Sequence, residues 1–188
     1  MNDASDESEI DRLMQTAISH LQAHRWDEAA RHFSIVLRLQ PDHAEALHLC
    51  GMVEFHRGQL QLAARGVMEA IALSPNSPSY RNSMGLIELK RGNAVEATEA
   101  FWESIRLKDD VYQVWMNLVQ ALEQSSKPRE AAEACGRAAM LSIGARKIEL
   151  FMRQGNLLQR TGDLEQAAWS YRAIVLIQPG YAPAHANL

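Results

Sequence analysis

AEALHLCGMVEFHRGQLQLAARGVMEAIALSP, residues 44–75, reads as two amphipathic helices joined at Gly58 and closed by Pro75. Its middle alanine, Ala63, has counterparts at Ala29, Ala97 and Ala131, each 34 residues from the next, and at Ala167 after a step of 36. A fixed period of that length marks a unit that is copied and stacked. Alanine suits a point where two helices cross closely, because only a methyl group fits there.

The positions around the alanine repeat as well. Numbering it 20, position 8 holds Ala17, Gly51, Gly85, Val119 and Gly155, and position 24 holds Phe33, Val67, Phe101, Cys135 and Tyr171. Position 27 holds Val36, Ala70, Ser104, Ala138 and Ile174. Small residues at 8 and 20 let two backbones approach, and the larger one at 24 fills the space beside them. Gly58, Gly92 and Gly162 at position 15 supply a left-handed turn between helices. Pro41, Pro75 and Pro179 at position 32 end the second helix. First helices are predicted near 11–23, 45–57, 79–91, 113–125 and 149–161, and second helices near 27–39, 61–73, 95–107, 129–141 and 165–177.

This arrangement resembles the tetratricopeptide repeat family across residues 10–181, in repeats near 10–43, 44–77, 78–111, 112–145 and 148–181. Trp115 stands where the family favours a large aromatic, and Trp26 replaces its usual tyrosine. Departures are local. His24 replaces the turn glycine of repeat one, Arg81 an apolar residue of repeat three, and repeat four has neither the closing proline nor a small residue at Val119. Lys127-Pro128 starts the second helix of repeat four with a proline in its first turn. The resemblance implies an all-α fold, a right-handed superhelical solenoid of antiparallel helix pairs. Residues 1–9 are acidic and polar and are expected to be disordered. Residues 182–188 enter a sixth repeat and stop inside its first helix, so a truncated longer chain is expected, or an uncapped end that associates with another chain.

Composition narrows the function. A net charge of -4 and a pI near 6.0 argue against a general nucleic-acid binder. The start carries no signal peptide and no apolar run is long enough for membrane insertion, so a cytoplasmic protein is expected. Cys50 and Cys135 fall at interior packing positions, where a thiol acts as a small hydrophobe and not as a nucleophile. His20 and His24 have the four-residue spacing of two metal ligands on a helix, but nothing is placed to complete a tetrahedral set. No phosphate loop, nucleophile elbow or zinc signature occurs. No catalytic residue, cofactor or metal is therefore expected, and any catalytic domain would lie beyond residue 188.

In the family, the first helices line a concave groove that holds a peptide or an amphipathic helix. The matching residues here are Met14, Ile18, His48, Met52, Phe55, His56, Asn82, Leu86, Leu89, Met116, Gln120, Met152 and Asn156. Methionine adapts to varied apolar shapes, so a Met-rich apolar groove is expected, with Met52, Phe55, Leu86, Leu89 and Met116 as one continuous strip. Met14 and Ile18 replace the lysine and asparagine with which one subfamily holds carboxy-terminal peptides. The leading expectation is a protein-interaction scaffold. Two alternatives remain open: the substrate-recognition arm of a longer enzyme resembling O-linked N-acetylglucosamine transferases, and a scaffold that self-associates through its groove or its end. The asparagine ladder of those transferases is largely absent, since only Asn117 and Asn187 occupy its position. The segment 44–75 looks like early repeats of bacterial proteins whose arrays precede a transferase domain.

Overall fold

The structure, a computed structural model, describes residues 3–188, with side chains described from Glu7 onward. Eleven helices follow one another among the described residues, with no strand: α1 (Asp3–Gln22), α2 (Trp26–Leu39), α3 (Ala44–His56), α4 (Leu60–Leu73), α5 (Pro78–Arg91), α6 (Ala94–Leu107), α7 (Tyr112–Gln124), α8 (Pro128–Met140), α9 (Gly144–Thr161), α10 (Leu164–Ile177) and α11 (Ala182–Ala186). The chain divides into two compact units, Met1–Arg91 and Gly92–Leu188. In the first, each helix from α1 to α5 packs on the next; in the second, the same holds from α6 to α11. Neighbour-on-neighbour packing of this kind is the mark of a stacked repeat.

The crossings are as close as the small residues require. A Cβ added at Gly51 would stand 3.0 Å from the Ala63 carbonyl oxygen, and one at Gly155 would stand 2.5 Å from the Tyr171 ring. Ala17, Ala29, Phe33, Val36, Ala46 and Val53 form one buried cluster, and Ala63, Ala64, Val67 and Ile87 a second. Phe101, Leu118, Leu122, Cys135, Tyr171 and Ile174 are fully enclosed in the second unit.

The five turns that follow α1, α3, α5, α7 and α9 share one device. Gly58, Gly92 and Gly162 have φ of 79°, 87° and 82°, and the non-glycine residues at the same position, His24 and Ser126, also lie in the left-handed region at 57° and 58°. The turn is thus set by the hairpin geometry, and glycine is its least strained occupant. At the other end of the repeat, Gln40, Ser74 and Gln178 precede the three closing prolines and have left the helical region, Gln40 and Gln178 as extended backbone, as the proline ring favours.

Two expectations need correction. Helix α1 begins at Asp3, so residues 3–9 are helical and not disordered, while Met1 and Asn2 lie outside the described residues. Short polar composition underestimates helix when the segment runs straight into a packed first turn. Helix α9 begins at Gly144 and not near 149. Repeat four has Ile143 where a proline would stop the chain, and Ile143 instead becomes the extended residue that precedes α9.

Candidate interaction surface

Residues 48, 52 and 55 of α3 and 82, 86 and 89 of α5 recur at helical spacing, each trio forming one stripe of its helix. All six are half-buried. His48 Nε2 shares a hydrogen bond of 2.8 Å with Ser83 Oγ, and the His48 ring lies 4.5 Å from that of Tyr80. Lys90 Nζ sits 4.4 Å from the centre of the Phe55 ring and donates to the Phe55 carbonyl at 3.2 Å. These contacts bring the two stripes side by side. Burial holds the His48 imidazole down at about 4, so at neutral pH it is an uncharged hydrogen-bonding group.

Beyond Phe55 the surface continues through rings. His56 is exposed and stacks on Trp26 at 4.3 Å, and His24 meets Trp26 edge-on at 5.2 Å. Burial, the Lys90 ammonium and His24 all lower the His56 pKa. His20 stacks on His32 at 5.1 Å, and no group of three or more His, Cys, Asp or Glu that could hold a metal occurs among the described residues.

Other groove candidates land differently. Met14 is only 6% exposed and belongs to the first buried cluster, because α1, α2 and α3 close over it; it is not a groove residue. Ile18 is half-buried against the same cluster. In the second unit Met116 and Met152 are half-buried, while Gln120 and Asn156 are exposed. Asn156 Oδ1 accepts the Tyr171 hydroxyl at 2.9 Å. Arg153 Nε donates to Glu123 Oε1 at 3.0 Å, and the Arg146 guanidinium lies 5.3 Å from the Tyr112 ring. The first helices of this unit therefore meet solvent with charge and amide beside Met116 and Met152, while the paired stripes of the first unit are apolar with one methionine, Met52. Cys135 is buried and its thiol is pushed up to about 12 by burial; burial also raises that of Cys50.

The second helices carry a feature that periodicity alone does not reveal. Trp102 on α6, Met140 on α8 and Trp169 on α10 are 37%, 66% and 58% exposed. Trp102 packs edge-on against Trp115 at 5.7 Å, and Trp169 against Phe151 at 5.9 Å. The signal was present in the sequence, as indoles on helix faces that a solvated repeat fills with polar residues.

Helix pairs crossing at small residues, joined by left-handed turns and stacked in sequence, define a helical-repeat array. Residues 14–80 match the family model described as tetratricopeptide repeat. That match covers less than half of the chain, and the same positions repeat through α10, so the chain is similar to tetratricopeptide repeat proteins over that stretch and continues the same pattern beyond it. The human protein O-mannosyl-transferase TMTC1 is 25% identical over 182 residues, which are 95% of this chain and 20% of that protein. The chain thus spans about a fifth of the length of that relative. The crystal structure of MamA superposes with a TM-score of 0.75 at 17% identity, covering 93% of this chain and 94% of that one, a likeness of fold. A mutant O-GlcNAc transferase from Thermobaculum terrenum matches with a TM-score of 0.69 at 26% identity, over 72% of this chain and 26% of that one. No helix among the described residues is long and apolar enough to cross a membrane.

Proposed function

We propose that this chain is a protein-binding scaffold that holds a peptide or amphipathic helix against the paired first-helix stripes of α3 and α5. The observation that carries the reading is the juxtaposition of Met52, Phe55, Leu86 and Leu89 with the neutral His48 and with Asn82. Apolar side chains there supply burial, and the imidazole and amide orient a backbone. Lys90, held over Phe55, favours an acidic residue at one end of the bound segment. The remaining groove candidates, Met116, Gln120, Met152 and Asn156, lie in the second unit and would form a more polar stripe of its own.

Peptides selected from a displayed random library against the chain test this. Replacing Met52 and Leu89 together by serine should weaken the selected peptides by ~2–4 kcal/mol, with little change in melting temperature. Equal affinity for parent and double variant would move the function to another face.

Two likenesses favour a second reading, in which the array presents protein substrates to a transferase domain of a longer chain. Both the human O-mannosyl-transferase and the bacterial O-GlcNAc transferase exceed this chain several-fold in length. On that reading the same stripes bind acceptor segments, and any activity resides outside these residues.

A further inference from the structure

The second unit exposes Trp102, Met140, Trp169 and Leu176 on its second helices. Two clefts open there, one of about 580 Å3 between α6 and α8, the other of about 400 Å3 between α8 and α10. Both are lined by Arg137 and Met140. Tryptophan, methionine and arginine are the side chains that interface cores favour.

The charges say what covers this face. The cleft walls hold Arg106, Lys108 and Arg137 against Asp109, Asp110 and Glu133, three of each sign. Such a surface repels neither sign and matches neither a basic nor an acidic partner; it matches itself. Glu133 and Arg137 stand one turn apart on the exposed side of α8, and neither has an ion-pair partner among the described residues. The neighbouring exposed charges do, Lys127 pairing with Glu130 and Arg129 with Asp163.

The repeat register adds symmetry. Measured from Ala97, Ala131 and Ala167, Trp102 stands at the level of Gly136 and Trp169 at the level of Glu133. Both indoles therefore flank the midpoint of α8, one on each side.

We propose that this face is the contact between two copies of the chain, α8 packing antiparallel on α8 about a two-fold axis that crosses near Cys135. In an isologous contact residue i meets j and j meets i. Here Glu133 of each copy meets Arg137 of the other, so two ion pairs form at the centre. Trp102 meets Trp102, and Trp169 meets Trp169, covering the exposed indoles. The contact uses no residue of the α3 and α5 stripes.

Sedimentation equilibrium of the 188-residue chain over about 2–200 µM reads the contact directly. A monomer–dimer equilibrium is expected. Arg137→Glu and Glu133→Arg should each weaken the dimer at least about tenfold, by setting like charges face to face at both central pairs. The double variant Arg137→Glu with Glu133→Arg should restore it, because the exchanged charges meet again across the two-fold. Both positions of change are on the solvent side of α8, and far-UV dichroism verifies the fold. Met140→Asp is an independent probe, and should weaken the dimer without altering charge at the pair. A chain that stays monomeric throughout the range overturns the proposal. So does a dimer indifferent to Arg137→Glu and Met140→Asp, or a failure of the exchanged pair to restore what the single variants lose.

Discussion

Gly155 is the position at which a single carbon should cost most. An added methyl would lie 2.5 Å from Cε1 and 2.7 Å from Cζ of Tyr171. That ring cannot swing freely, since it is buried and its hydroxyl donates to Asn156. Two effects oppose each other in Gly155→Ala. Helix propensity favours alanine by about 1 kcal/mol, whereas overpacking costs ~1–3 kcal/mol. The contact is far inside normal approach, so we expect a net loss of about 1–2 kcal/mol, read as a lower urea midpoint at unchanged slope. A raised midpoint would show that the crossing has slack. At this scale the sequence was legible because the restriction is steric. Small residues at two positions in successive copies leave one explanation, close helix approach. Met14 was not legible in the same way. Periodicity identifies a stripe of a helix, and whether a neighbouring helix covers that stripe depends on packing that no period reports.

Each hairpin needs one residue with positive φ, and the element pays attention to geometry before residue type. Three turns use glycine, while His24 and Ser126 adopt the same conformation despite their side chains. An L-residue in the left-handed region costs ~1–2 kcal/mol, while glycine there gives up part of that gain, about 0.5–1 kcal/mol, in unfolded-state entropy. Ser126 is exposed, with its amide donating to the Glu123 carbonyl at 3.2 Å, a bond that glycine retains. Ser126→Gly should therefore stabilise the chain by roughly 0.5–1 kcal/mol, measured as a higher melting temperature. A fall would mean that the hydroxyl holds the turn. His24 is a poorer test, because its ring also meets Trp26. Helix ends were legible wherever glycine or proline wrote them. They were misjudged at α9, where the stop residue is replaced by Ile143, and at α1, where composition alone suggested disorder.

At the level of the whole molecule the histidines are unevenly shared. Six of the seven, from His20 to His56, precede Arg91, and only His185 lies in the second unit. His48 titrates near 4 in the fold because it is buried between α3 and α5, facing the Tyr80 ring and Ser83. The unfolded chain binds that proton near 6.5, so the unfolded state takes up more protons than the folded one as pH falls. The resulting stability is complete above about 6.5 and is lost progressively as pH drops from there towards about 4. His56, also lowered, acts in the same direction. Between pH 7 and pH 5 His48 alone should remove about 2 kcal/mol from the first unit. His185 shows no comparable burial, being exposed against the Pro179 carbonyl, so the second unit should lose little over that interval. Hydrogen exchange, converted to protection factors to remove the intrinsic pH dependence, resolves the two. Amides of α3–α5 should lose protection at pH 5 by roughly tenfold or more, while those of α7–α10 hold. His48→Gln can retain a hydrogen bond to Ser83 without a titrating group, and should flatten the response of α3–α5. Equal losses in both units, or an unchanged response in that variant, would show that buried carboxylate or backbone effects, and not the imidazole between α3 and α5, set the acid sensitivity.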